Sequence, residues 1–330
     1  MKAAFVQQAG PAESIQVGEL PEPQPGPGDA LVRVKVAAVN PIDTYVRGGM
    51  IAMDLPKPFV PGCDLAGEVV RSGGGLRPGQ RVWCSNQGLL GRQGTLCELT
   101  AVNEHWLYPI PDGVTDEAAA AGALVGITAH LGLVREARLA SGETILVNGG
   151  SGGVGSTVVQ MAKALGATVI ATAGTEEKRQ ACRDLGADVA VDYKVKDLAE
   201  ALAAEVPSFG GVNVWWETTR EPDFDRILSC LADRGRIVLM AGRDARPEFP
   251  VGPFYVKGAS LHGFVMFKAT PDEQREAADS INAWLASGEY RPKVSHTFTL
   301  DQAAAAHRMQ EDNTLHGTGE LAGKIVVRIG

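Results

Sequence analysis

A short apolar run, Thr144-Ile-Leu-Val-Asn148, enters a loop with five glycines in seven residues, Gly149-Gly-Ser-Gly-Gly-Val-Gly155. A stretch of helical spacing, Val154–Leu165, follows it. Strand, glycine turn and helix in this order form the opening unit of a nucleotide-binding βαβ fold. With no side chains at Gly152 and Gly153, a diphosphate can come close to the start of the helix, where unpaired N–H groups and the positive dipole end receive an anion. Gly155 lets the helix pack against the strand. A tight structural turn is the plainer reading of the same residues.

The surrounding pattern favours the nucleotide. Strands are predicted at Thr168–Thr172, Val189–Val191, Val212–Trp216 and Arg236–Met240. Helices are predicted at Glu176–Leu185, Asp197–Glu205 and Phe224–Leu231. Such alternation predicts a parallel sheet covered by helices on both faces. An NAD-binding sheet places Asp or Glu at the end of its second strand, on the ribose 2′-hydroxyl. Here that end reads Thr172-Ala-Gly174-Thr175, with Lys178 and Arg179 one turn on. A carboxylate ~4 Å from a 2′-phosphate would cost about 4 kcal/mol at an effective dielectric of ~20. Its absence beside two cations points to NADP(H) over NAD(H), although both cations could equally be solvated neighbours of Glu176 and Glu177.

The first 117 residues read as mostly β. Leu31-Val-Arg-Val-Lys-Val36 alternates apolar and charged positions, and short strands fit Leu65–Val70, Arg81–Trp83 and Cys97–Val102. Pro21-Glu-Pro-Gln-Pro-Gly-Pro-Gly28 excludes a central strand or helix. Beyond residue 265 come helical patterns at Asp272–Ala286 and Asp301–Gln310 and a closing strand, Lys324–Ile329.

Composition narrows the function classes. The 330 residues carry a net charge of −8, and no Lys/Arg run exceeds two residues, so a nucleic acid is not an expected partner. The apolar stretch Ala118–Val134 is shorter than the ~20 residues of a membrane span and reads as a buried helix. The opening MKAAFVQQAG has no signal-peptide core, so a cytoplasmic enzyme is expected. Five cysteines (63, 84, 97, 182, 230) include no C-x-x-C pair and six histidines no H-E-x-x-H, which leaves buried thiols and no metal as the expectation.

Further motifs resemble the zinc-independent quinone oxidoreductase, or zeta-crystallin-like, branch of the medium-chain dehydrogenase/reductase superfamily. They are Asn40-Pro-Ile-Asp-Thr-Tyr-Val-Arg-Gly48, Pro61-Gly-Cys-Asp-Leu-Ala-Gly-Glu-Val69, Gly126-Ile-Thr-Ala129, Thr172-Ala-Gly-Thr-Glu-Glu177 and His316-Gly-Thr-Gly319 with Gly323-Lys324. The resemblance implies an α/β chain in two parts: a GroES-like β-rich catalytic domain (1–120 and 266–330) and an inserted Rossmann domain with a doubly wound parallel sheet (121–265). The acceptor would bind in a cleft between them, and a homodimer or homotetramer would form by edge pairing of nucleotide-binding sheets. Zinc-dependent relatives carry Cys where this chain has Asn40 and G-H-E where it has Gly62-Cys63-Asp64, so ordinary alcohol dehydrogenation is disfavoured.

The implied activity is NADPH-dependent hydride transfer to a quinone-like acceptor. By resemblance Asn40 and Tyr45 border the acceptor and donate hydrogen bonds to its developing oxyanion. Thr128 lies near the nicotinamide, while Ser151, Gly152, Gly153 and Val154 bind the pyrophosphate. Gly174, Lys178 and Tyr193 surround the 2′-phosphate. Ala241, Gly242, Arg243, Phe264, Val265 and Met266 hold ribose and carboxamide. Turn and core roles are the alternatives for Asn40 and Tyr45, and a surface role for Tyr193. Two other functions stay open: reduction of alkenal or enone double bonds, and a non-catalytic NADPH-binding role, structural (crystallin-like) or RNA-binding.

Overall fold

The computed structural model describes residues 1–206 and 209–330. The chain divides into two compact units: Met1–Val125 with Thr270–Gly330, and Gly126–Ala269.

The second unit is built on a parallel sheet of six strands among the described residues: Thr144–Asn148, Thr168–Ala173, Val189–Asp192, Val212–Glu217, Leu231–Leu239 and Ser260–Gly263. Numbered along the chain, they lie in the order 3-2-1-4-5-6, so the order reverses beside the first strand. Ligands of open α/β sheets bind outside the carboxyl ends of strands at such a point. The three middle residues of Thr144–Asn148 are buried, as a strand covered on both faces requires. One face packs Leu146, Ile170, Trp215, Ile227 and Ile237 into a common core.

The first unit holds a mixed sheet in the order Val294–Thr299, Lys324–Arg328, Asp29–Val39, Asp64–Ser72, Arg81–Cys84, Tyr108–Pro109, with Leu99–Asn103 also paired to Asp29–Val39. Strands from both chain ends meet here: Lys324–Arg328 runs antiparallel to Asp29–Val39, with Ile325 opposite Val39. Val32, Val34, Leu65, Val69, Val82 and Val102 fill one core of this unit.

Several boundaries differ from the sequence reading. The helix predicted to reach Leu231 stops at Cys230, because Leu231 already pairs with Val212 in the sheet; the strand predicted from Arg236 therefore starts at Leu231. Cys97 forms only an isolated bridge to Ala3, and its strand begins at Leu99. The helix predicted from Asp301 opens with a tight turn over Leu300–Gln302 and runs as Ala303–Leu315.

The apolar stretch near residue 120 is longer than the sequence reading gave it. It forms a helix over Asp116–His130 that continues in wider, i to i+5 turns over Leu131–Glu136, 21 residues in all, long and apolar enough to cross a membrane. Its most apolar window is 78% buried inside the protein, as a core helix is. The wide turn, marked by the Ala137 N–H donating to the Gly132 carbonyl at 2.9 Å, lies where Gly132 meets the Trp216 ring. A Cβ at Gly132 would overlap that ring, and Phe264 packs edge-on to Trp216 with centroids 6.4 Å apart. Gly132→Ala is therefore expected to destabilise the second unit by about 1–3 kcal/mol, the usual cost of overpacking, read as a lower urea midpoint at unchanged m.

Candidate cofactor and active site

The carboxyl end of Thr144–Asn148 turns at Gly149, whose φ of 85° is left-handed. A side chain there would collide with Thr218 as well as be strained. Two neighbouring strand ends pin the turn. The Gly149 N–H donates to Thr172 Oγ1 at 3.0 Å and the Gly150 N–H to the Thr172 carbonyl at 2.9 Å. From the other side, Thr218 Oγ1 donates to the Asn148 carbonyl at 2.5 Å. The helix Gly153–Ala164 then starts without a side-chain cap, and a Cβ at Gly155 would run into the Gly149 carbonyl oxygen. Only glycine permits that approach.

The first-turn N–H groups of this helix, from Gly153, Val154 and Gly155, have no intrahelical acceptors. Gly152 is exposed, and a Cβ built on it would meet nothing closer than the Gly149 oxygen at 3.6 Å. Ser151, Gly152, Gly153 and Val154 thus form a backbone cradle open on its outer side. Its donors and its dipole fit a diphosphate.

The next strand ends frame the rest. Gly174 follows Thr168–Ala173, and a Cβ there would come within 2.6 Å of Tyr193 Oη, so the two face each other. Tyr193 is 44% exposed. Lys178 is half-buried in the first turn of Glu176–Asp184, where its N–H donates to Thr175 Oγ1 at 3.3 Å. Arg179 is committed elsewhere, to Glu176 at 2.8 Å and Asp192 at 3.2 Å. Ala241, Gly242 and Arg243 follow Leu231–Leu239, while Phe264, exposed Val265 and buried Met266 follow Ser260–Gly263. Thr128 is buried on Asp116–His130 near His130, whose pKa burial lowers to about 4, so its imidazole is neutral at pH 7. These segments all leave the carboxyl ends of parallel strands, apart from Thr128.

Asn40 and Tyr45 belong to the first unit. Tyr45 is half-buried on the helix Pro41–Arg47. Asn40, at the start of that helix, is fully buried and lies among other buried polar groups. Its backbone N–H donates to Asp43 Oδ2 at 2.7 Å and its Nδ2 to Asp64 Oδ2 at 2.8 Å, while Lys324 Nζ donates to its Oδ1. Asn40 thereby bridges a buried carboxylate and a buried ammonium, and Lys324 also reaches the Val39 carbonyl at 3.1 Å. Burial pushes the Asp43 carboxyl up to about 7, with the neighbouring Asp64 adding to the effect and a hydrogen bond from Cys63 opposing it. Burial also raises Asp64, opposed by Lys324, and lowers Lys324, opposed by Asp64. Burial lifts the Cys63 thiol well above its usual range, so it stays protonated and unreactive.

Sequence reading passed over Asp64, Lys324, Asn148, Thr172, Thr218 and Glu217 as site-building residues. The signal available was an acid closing an apolar strand, Val212-Asn-Val-Trp-Trp-Glu217.

Against known proteins, residues 26–112 match the alcohol dehydrogenase GroES-like domain and residues 153–283 the zinc-binding dehydrogenase domain. A quinone oxidoreductase of Pseudomonas aeruginosa is 31% identical over 317 residues, covering 92% of this chain and 93% of the relative. Quinone oxidoreductase 1 of Escherichia coli is 30% identical over 332 residues, covering 96% and 98%. Among solved structures, an NAD-dependent alcohol dehydrogenase superposes with a TM-score of 0.89 at 30% identity, over all of both chains. Escherichia coli quinone oxidoreductase complexed with NADPH gives 0.84 at 26%, over 99% of this chain and all of the other. A GroES-like unit carrying a Rossmann sheet with this cradle defines a medium-chain dehydrogenase/reductase. Within that superfamily the chain belongs to the quinone oxidoreductase branch, a group of oxidoreductases.

The zinc in the name of one matched domain does not fit these residues. Among the described residues no three His, Cys, Asp or Glu side chains converge on a point that could hold a metal. At Asn40 and Asp64 a buried ammonium occupies the neighbourhood, which opposes a second cation.

The raised Asp43 sets a pH dependence. Between the unfolded value near 3.9 and the folded value of about 7, the native state holds a proton that the unfolded chain releases, so this group's contribution falls as pH rises through that window. The buried histidines His130 and His307, lowered to about 4 and about 3, act in the opposite sense over an overlapping range. The test is therefore differential. Asp43→Asn should gain stability relative to the parent as pH moves from 5 to 8, measured as the difference in denaturation midpoints.

Proposed function

We propose that the protein is an NADPH-dependent quinone reductase that works without zinc. The observation that carries the cofactor choice is the end of the second strand. Gly174 faces Tyr193 there, Lys178 stands one turn on, and no carboxylate lies between Thr172 and Thr175. A 2′-phosphate finds donors at that point and no anion within the strand end. Two structural relatives, of Escherichia coli and of a mycobacterium, are complexed with NADPH, which supports the same reading.

Bound NADPH supplies a hydride from its nicotinamide ring. The chain supplies position and a dry, polarised setting. The amides of Ser151 to Val154 hold the diphosphate. Thr128, Ala241–Arg243 and Phe264–Met266 hold the ribose and carboxamide, and the Tyr45 hydroxyl donates to the acceptor oxygen as charge develops there. Asn40, its amide engaged by Asp64 and Lys324, fixes the start of the helix that carries Tyr45. An acceptor already electrophilic, a quinone or a conjugated enone, needs no metal to polarise it.

We further propose a homodimer formed at the open edge of the parallel sheet. Ser260–Gly263 is an edge strand, with Leu261 41% exposed, and Tyr255 and Val256 are 68% and 75% exposed beside it. The unpaired N–H and C=O groups of such an edge are a template for pairing with a second copy.

Stopped-flow oxidation of NADPH and NADH against ortho-quinones, para-quinones and alkenals tests the activity. Turnover of quinones with NADPH preferred by at least tenfold is expected; turnover of alkenals alone would move the protein to double-bond reduction. Lys178→Ala should raise the KM for NADPH by about tenfold, one charge-assisted contact, and leave that for NADH unchanged. Leu261→Lys should shift the sedimentation coefficient from dimer to monomer.

A further inference from the structure

Glu217 closes the fourth strand of the parallel sheet and is 2% exposed. A buried acid beside a cradle for anions is electrostatically costly, and nothing in hydride transfer uses it. Every contact it makes is as an acceptor. Oε1 receives Asn148 Nδ2 at 2.9 Å and the Thr219 N–H at 2.7 Å; Oε2 receives Asn148 Nδ2 at 3.0 Å and Trp215 Nε1 at 3.0 Å. The bonds run on from there. Asn148 Oδ1, turned away by the grip on its Nδ2, accepts from Thr172 Oγ1 at 2.6 Å, and Thr172 Oγ1 accepts the Gly149 N–H at 3.0 Å. A carboxylate cannot donate, so it selects one orientation of the Asn148 amide. That orientation selects the direction of the Thr172 hydroxyl, leaving a lone pair for Gly149.

We propose that Glu217 is a positioning residue for the cofactor's diphosphate. Through Asn148 and Thr172 it fixes the turn at Gly149 before the ligand arrives, drawing the Gly149 N–H into the fold and leaving the N–H groups of the first helical turn for the anion. The inference rests on the NADP(H) reading above and deepens it: the acid close to the anion site orients donors and does not meet the anion. Preorganised donors bind more tightly because the cost of ordering them falls on folding and not on binding.

Glu217→Gln removes the selection, because an amide can also donate its own N–H to Asn148 Oδ1 and so accept the flipped orientation of that side chain. Thr172→Val breaks the chain at its other end, and it decides the question if Glu217→Gln does not fold. Titration of tryptophan emission with NADPH and with 2′-AMP, which has a 2′-phosphate but no diphosphate, reads the effect. The expected result is a Kd for NADPH raised about tenfold in either variant, within the usual range of coupled polar networks, an unchanged Kd for 2′-AMP, and kcat at saturating NADPH within twofold of the parent. The double variant should bind NADPH no worse than the weaker single one. Equal weakening toward both ligands, an unchanged NADPH affinity, or additive losses would overturn the inference while leaving the cofactor reading in place. A parent protein that binds 2′-AMP and NADPH not at all would overturn both.

Discussion

The sharp turn from Asn148 into the helix at Gly153 is the constraint on which the second unit depends. A parallel sheet exposes its strand ends, and a ligand reaches them only if the chain leaves the strand without filling the space above it. Gly149 takes the left-handed conformation, Gly155 lets the helix sit against the Gly149 carbonyl, and Gly152 leaves the outer side bare. Glycine alone would make this segment loose, since it has the most freedom to lose. Thr172 and Thr218 remove the looseness by anchoring the turn from the strands on either side.

The first unit has a different organising feature, a set of charges placed out of water. Asn40, Asp43, Asp64 and Lys324 are all buried, and Asn40 mediates between carboxylate and ammonium. Removing one member of such a set leaves the remainder uncompensated, which costs more than the intact set contributes. The buried carboxylates are thereby provided with a cation from the chain itself, the ammonium of Lys324.

Much of the second unit was legible in the sequence. A five-residue apolar run before a glycine-rich turn permits few structures, and the strands Thr168–Ala173, Val189–Asp192 and Val212–Glu217 are apolar enough to declare themselves. Ser260–Gly263 did not, because an edge strand alternates half-buried with exposed and its four residues, Ser-Leu-His-Gly, carry one apolar side chain. The helix Val251–Val256 contains Gly252, Pro253 and two valines, poor helix formers whose pattern does not announce a helix. The site divides in the same way. Cradle residues share a short segment and could be read together. Lys324 reads as an ordinary strand residue until folding brings it to Asn40 from the far end of the chain, and Thr172, Asn148 and Glu217 acquire a common purpose only when three strands lie side by side.

The contribution of both chain ends to one sheet has a consequence for synthesis. Gly126–Ala269 is contiguous and can complete its own sheet as soon as it leaves the ribosome. The first unit must wait: the antiparallel partner of Asp29–Val39, Lys324–Arg328, is made only after the whole of Gly126–Ala269. Until then Asp43 and Asp64 have no cation, and one edge of a mostly apolar strand lies open. The nascent segment around Asp29–Val39 is thus the part of the molecule most in need of a holding chaperone, and loss of Lys324–Arg328 would leave it permanently in that state.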